Sequence, residues 1–136
     1  MLRRSAITVV FALALGTFGF SASAATVKNG VACPKSGATS IVSVKGVKKS
    51  YICTVNPAAA TNPNVAKGGQ TWTLKTCVSY YAAYKGDQQS IDDQRSLVKV
   101  MNEPDKTNYT KELDASQASL IKVLAAIENN HCKIGL

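Results

Sequence analysis

Four cysteines, Cys33, Cys53, Cys77 and Cys132, constrain this chain more than any other feature. They are even in number, and all lie beyond Ala24 in a chain whose core alone is limited by its size. Such a set reads as two disulfides formed in an oxidising compartment. Zinc is the competing use of four cysteines. The long spacings between them hold no C-x-x-C knuckle and the single histidine is His131, so neither a metal site nor a cofactor is expected.

The N-terminal segment, up to Ala24, names the compartment. Arg3 and Arg4 precede an apolar run from Ala6 to Phe20, and Ala22-Ser23-Ala24 follows the small-x-small rule of an export signal, so residues 1–24 are expected to be removed. The run is about 15 residues long with Gly16 and Gly19 inside it, short of the ~20 that span a bilayer. No second apolar run follows, which predicts no transmembrane span after cleavage and a secreted, extracellular or envelope-associated product.

The remainder, from Ala25 to Leu136, suits one small domain. In residues 25–55, the runs "TSIVSV" and "SYICTV" are rich in β-branched and aromatic side chains and flank Lys45-Gly46, the pattern of a β-hairpin. Its register stays open, because Val44 to Val47 fit both a two-residue and a four-residue turn. Residues 56–71 carry two Asn-Pro pairs and Gly68-Gly69, the signals of a linker.

Residues 72–136 are expected to form an antiparallel helical pair. Tyr80, Tyr84, Ile91, Val98 and Met101 follow helical steps from about Leu74 to Met101, with Gly86 as a candidate kink. Pro104 ends that helix, and Asp105, Thr107 or Asn108 can cap the next. Leu113, Leu120, Leu124 and Ile127 mark the inner face of a second helix reaching about Asn130. The fold class is therefore α+β: a small disulfide-closed β-hairpin followed by an antiparallel helical hairpin. A hairpin brings Cys33 to Cys53, and helical arms of roughly 36 and 33 Å bring Cys77 to Cys132.

Charge is divided along the chain. Without Arg3 and Arg4, 14 basic residues face 8 acidic ones, a net charge of +6. All eight acids lie from Asp87 onward, whereas the segment from Ala25 to Gly86 holds eight lysines and no acid. A field of one sign attracts polyanions, and lysine suits diffuse contact with phosphate or carboxylate polymers. Lys35, Lys45, Lys48 and Lys49, within or beside the hairpin, are the expected contacts for an anionic cell-envelope polymer or surface; no specific nucleic acid is expected. A protein partner is the other possibility, with Trp72 and Tyr81 as aromatic anchors of an inhibitor or toxin-like effector. Tyr81 lies off the Tyr80/Tyr84 stripe and is expected to be the exposed ring.

Cys33, Lys35, Gly37, Lys45-Gly46, Lys48, Tyr51 and Cys53 together follow a pattern C-x-K-x-G, β-run, K-G, lysine, tyrosine, cysteine. This stretch resembles a short cysteine-bracketed β-hairpin of exported actinobacterial envelope proteins. Lys49-Ser50 ahead of Tyr51 departs from the tighter spacing of that pattern, and the resemblance runs from Cys33 to Cys53, a minor part of the chain. It implies an exported, envelope-facing module and no activity.

Catalytic signals are sparse, and no enzyme is expected. His131 reads as a solvated residue at a helix end, and Asp92-Asp93 diverge on a helix surface. No G-x-S-x-G, H-E-x-x-H or phosphate loop occurs. Asn108-Tyr109-Thr110 matches a glycosylation sequon with nothing further to support it.

Overall fold

The computed structural model describes residues 26–136; the expected export signal, residues 1–24, lies outside the described residues. Strands β1 (Thr39–Val44) and β2 (Val47–Val55) form the hairpin. Val44 pairs with Val47 across a two-residue turn in which Lys45 and Gly46 have φ of 50° and 80°. This is the primed turn whose twist matches the strands, and it closes the register that the sequence leaves open.

The structure adds a strand to the expected hairpin. After a 3₁₀ turn at Pro57–Ala60, β3 (Gln70–Leu74) pairs antiparallel with β2, giving the sheet order β1-β2-β3. Residues 70 and 71, read as the end of a linker, are part of the sheet. On the far edge of β3, Gly30 N–H donates to Trp72 O at 3.0 Å and Trp72 N–H to Val31 O at 2.8 Å.

Helices α1 (Lys75–Val98) and α2 (Asp105–Ile127) follow the sheet. Gly86 lies within α1, which runs through it unbroken. Glu103 caps α2, its Oε2 accepting from Thr107 N–H at 3.2 Å and from Thr107 Oγ1 at 2.6 Å, in place of the caps expected at Asp105, Thr107 and Asn108. The inward residues are 77, 81, 84, 88, 91, 95 and 98 on α1 and 113, 117, 120, 124 and 127 on α2, all buried or half-buried. Alternating steps of four and three make this the seam of an antiparallel two-stranded coil. Cross-helix pairs run in opposite senses along it: Tyr81 with Glu128, Gln88 with Gln117, Arg95 with Asp114.

The seam continues to position 131 in an unbroken α-helix. Instead Glu128–Cys132 form a π turn, which adds a residue and makes Cys132 the inward position. Cys132 then meets Cys77, with Cα atoms 5.0 Å apart, and Cys33 bonds Cys53 with Cα atoms 5.7 Å apart. Both pairings are those the hairpin and helical pair require.

Two apolar clusters result. The larger joins Tyr51, Cys53, Trp72 and Leu74 on one face of the sheet to Cys77, Tyr81, Ile127 and Cys132; the smaller joins Ile91, Val98, Leu113 and Leu120 between the helices. Tyr84 packs against both. No helix among the described residues is long and apolar enough to cross a membrane.

Candidate functional site

The four lysines expected to act together are dispersed by the hairpin. Lys45 occupies the turn, whereas Lys35 lies beside the opposite end, where Ala38 N–H donates to Lys35 O and Gly37 N–H to Cys53 O. Six strand residues separate those ends, roughly 20 Å at ~3.3 Å each. Lys48 pairs with Ser43 and Lys49 with Val42, so their side chains start on opposite faces of the sheet. Lys35, Lys45 and Lys48 are exposed and Lys49 is half-buried.

Lys48 and Lys49 nevertheless share a cleft with Lys75. The β2–β3 ladder ends at Tyr51 and Leu74, so β2 from Val47 to Ser50 has no strand on that side, and α1 begins beside it. Cys53 N–H donates to Ala38 O on the β1 side. By the alternation of an antiparallel ladder, Lys48 and Ser50 therefore turn their N–H and C=O groups toward the open side. The resulting cleft of about 370 Å³ is lined by Lys48, Lys49, Ser50, Leu74, Lys75, Thr76, Asn130 and His131. None of these is a carboxylate. The salt bridge found among the described residues, Arg95 with Asp114 at 2.8 Å, is elsewhere. The first turn of α1 adds no acid and has no side-chain cap, so its positive end adds to the same field.

Buried amides hold the walls of the cleft. Asn29 is fully buried; its Nδ2 donates to His131 O at 2.8 Å and Lys133 O at 3.2 Å, and its Oδ1 accepts from Leu74 N–H at 2.7 Å. It thereby ties the β3–α1 junction to the end of the π turn. Asn56 Nδ2 donates to Cys132 O at 2.9 Å, and its Oδ1 accepts from Ala58 N–H at 3.1 Å. Carbonyls released by the widened turn are thus satisfied inside the protein, as buried polar groups require. Gly30, with φ of 86°, lets Ile134 approach to 3.1 Å of where a Cβ would stand, and Gly135 N–H donates to Asn29 O at 2.9 Å.

Glu128, the first residue of the π turn, is buried. Its Oε1 accepts from Thr61 Oγ1 at 3.0 Å and Tyr81 Oη at 3.4 Å, and its Oε2 accepts from Asn62 Nδ2 at 2.9 Å. Thr61 and Tyr81 hydroxyls also bond each other. Burial pushes the Tyr81 phenol above its ordinary range, with the Thr61 hydrogen bond acting the other way and Glu128 adding to the rise; burial alone raises that of Tyr51.

Both expected aromatic anchors are corrected. Trp72 is 7 % exposed because its position opposite Cys53 puts it on the inner face of the sheet. Tyr81 is 2 % exposed because the seam passes through 77, 81 and 84; the exposed ring is Tyr80, at 46 %, which packs edge-on against His131 with centroids 4.7 Å apart. His131 is turned outward by the π turn and lines the cleft. Asp92 and Asp93 accept from Gln88 and Gln89 on the helix surface and do not converge. Among the described residues no three His, Cys, Asp or Glu side chains gather into a metal site.

Lys75 and His131 are cleft residues that sequence reasoning did not assign to the binding region. The available signal for Lys75 was its place in the acid-free run shortly before Cys77; its proximity to Lys48 and Lys49 depends on where β3 stops. Comparison with protein-family models, curated proteins and solved structures finds no match for this chain.

Proposed function

We propose that this is an exported, non-enzymatic binding protein of the cell envelope or extracellular space, which holds anionic polymers or surfaces through its lysine-rich hairpin. The observation that carries the reading is the carboxylate-free cleft beside the turn-proximal half of β2, where Lys48, Lys49 and Lys75 come from two chain segments and His131 from a third. Ammonium groups on the walls of the cleft attract phosphate or carboxylate without desolvating a fully buried charge. Lys45, at the tip, and Lys35, near the base, extend the positive field as outer contacts. Two disulfides and an N-terminal sequence of export type support the compartment. The rival reading through aromatic anchors has lost them, since Trp72 and Tyr81 are interior residues.

The test is retention on a teichoic-type polyanion at low and high salt, comparing the parent with Lys45→Gln/Lys48→Gln/Lys49→Gln and with Lys75→Gln. Weaker retention and a flatter salt response are expected of the triple variant, with a smaller loss for Lys75→Gln and little change in melting temperature for either. Parent-like retention by a folded triple variant rejects the reading.

A further inference from the structure

The helical pair has two unlike flanks. Asp114 and Glu128 lie one residue past seam positions 113 and 127, and the contacts of Arg95 and Tyr81 cross to them on that flank. Ser116, Ser119, Val123 and Ala126 lie one residue before seam positions 117, 120, 124 and 127, hence on the opposite flank. Their antiparallel partners on α1 are Tyr80, Ala83, Asp87 and Ser90. Small side chains there leave an open groove in two connected parts. One, of about 350 Å³, has Tyr80, Ala83, Tyr84, Ala126 and Ile127 in its walls. The other, of about 540 Å³, has Ser90, Ile91, Ser116, Ser119 and Leu120. Asp87 and Val123 line both parts, while Asn130 and His131 line the first part and the basic cleft alike.

A partly apolar lane therefore ends at Asn130 and His131, the residues it shares with the cationic cleft. Tyr80 to Ser90 alone spans roughly 15 Å at ~1.5 Å per residue. Val123 is 49 % exposed on its wall, an apolar side chain left open to water. Asp87 is the carboxylate along the lane, and it repels an anionic head from the middle while Lys48, Lys49 and Lys75 attract it to the end. Charge thus gives the groove a direction.

We propose that groove and cleft together bind a single-chain amphiphile with an anionic head of the alkyl phosphate type, the phosphate among Lys48, Lys49 and Lys75 and the chain between α1 and α2. The inference deepens the polyanion reading and rests on the same cleft. It makes the ligand's apolar part a determinant of affinity, because every methylene laid in the lane leaves water.

The experiment titrates the disulfide-bonded protein with dodecyl phosphate below its micelle concentration, with inorganic phosphate, and with dodecyl maltoside, using calorimetry and amide chemical shifts. Dodecyl phosphate is expected to bind at least about tenfold more tightly than either control, with shifts along both the groove and the cleft. Ala126→Phe, and separately Ala83→Leu, fill the groove from exposed positions; each should remove most of that advantage while polyanion retention stays at the parent level. Lys48→Gln/Lys49→Gln should weaken both. Equal affinity for dodecyl phosphate and inorganic phosphate overturns the groove, and equal affinity for dodecyl phosphate and dodecyl maltoside overturns the directed head. A ligand-free dimer that Ala126→Phe dissociates assigns the groove to a second copy and also overturns the proposal. Failure of polyanion retention alone, with dodecyl phosphate still bound tightly, rejects the polymer reading and leaves the amphiphile site standing.

Discussion

The two ends of the helical pair are held by different means. At the sheet end, Cys77–Cys132, Asn29, Asn56 and the Glu128 cluster join α1 and the π turn to β3 and to the loop before it. Toward the α1–α2 turn, the helices have mainly each other: a seam of Ile91, Val98, Leu113 and Leu120, a pair of glutamines and an exposed ion pair. Buried polar groups at the sheet end, the Thr71 hydroxyl excepted, are matched to specific partners, so a change there leaves an orphan. Polar groups in the outer seam are matched mainly to one another and can be replaced together. The basic cleft adjoins the constrained side of this divide, where buried hydrogen bonds hold Leu74 and the His131 backbone in its wall.

The largest effect that can break this comparison comes from the disulfides. Cys77→Ser/Cys132→Ser opens the longer loop, with a sequence separation of 55, and Cys33→Ser/Cys53→Ser the shorter, with a separation of 20. The chain-entropy account predicts losses of about 4 and about 3 kcal/mol, measurable by denaturant unfolding. A larger loss from the hairpin pair would contradict the view that the helix–sheet junction is the principal staple.

Asn29→Ala comes next. It strips partners from His131 O, Lys133 O and Leu74 N–H and is expected to cost about 3 kcal/mol, since each buried orphan costs about 1–3. Hydrogen exchange should show opening at residues 130–136 and at the start of α1 before the outer seam responds.

A pH effect separates the ends by a different property. Both tyrosines with raised pKa, Tyr51 and Tyr81, lie in the sheet-end cluster. The folded state holds their protons more tightly than the unfolded chain, so their contribution is complete below about pH 10 and falls as pH rises through the higher folded values. Thermal melts above pH 10 should lose stability, and Tyr81→Phe should reduce that alkaline loss even though it is less stable at neutral pH through the bond taken from Glu128. An alkaline loss unchanged in Tyr81→Phe would remove Tyr81 from this account.

The smallest change is expected in the outer seam. Gln88 and Gln117 exchange hydrogen bonds of 3.1 and 2.8 Å, so replacing both by leucine removes donor and acceptor together. Stability should move by less than about 1 kcal/mol in either direction, whereas Gln117→Leu alone should be the worse variant because Gln88 loses its cross-helix partner.

Parts of this outcome are legible along the chain because they depend on local chemistry. Lys45-Gly46 between β-branched runs gives the hairpin, Pro104 separates the helices, and each cysteine pair closes an element that already returns on itself. The stripe on α1 was harder: Tyr80, Tyr81 and Tyr84 admit two helical faces, and Gln88 and Arg95 hide the seam because they are polar residues in inward positions. β3 was concealed by its shortness and by Gly68-Gly69 just before it, so Trp72 carried no sign of which partner would cover it.

The sequence by itself determined the α+β class, the cysteine pairing and the separation of an acid-free half from a half that holds every carboxylate, since these follow from residue type and spacing. Only the tertiary structure decided which lysines act as neighbours. Strand alternation sends Lys48 and Lys49 to opposite faces, the end of the β2–β3 ladder opens an edge beside them, and the π turn rotates His131 outward as Cys132 turns in. Each of these is a matter of register between segments distant in sequence, and register is set by packing and pairing that no single segment encodes.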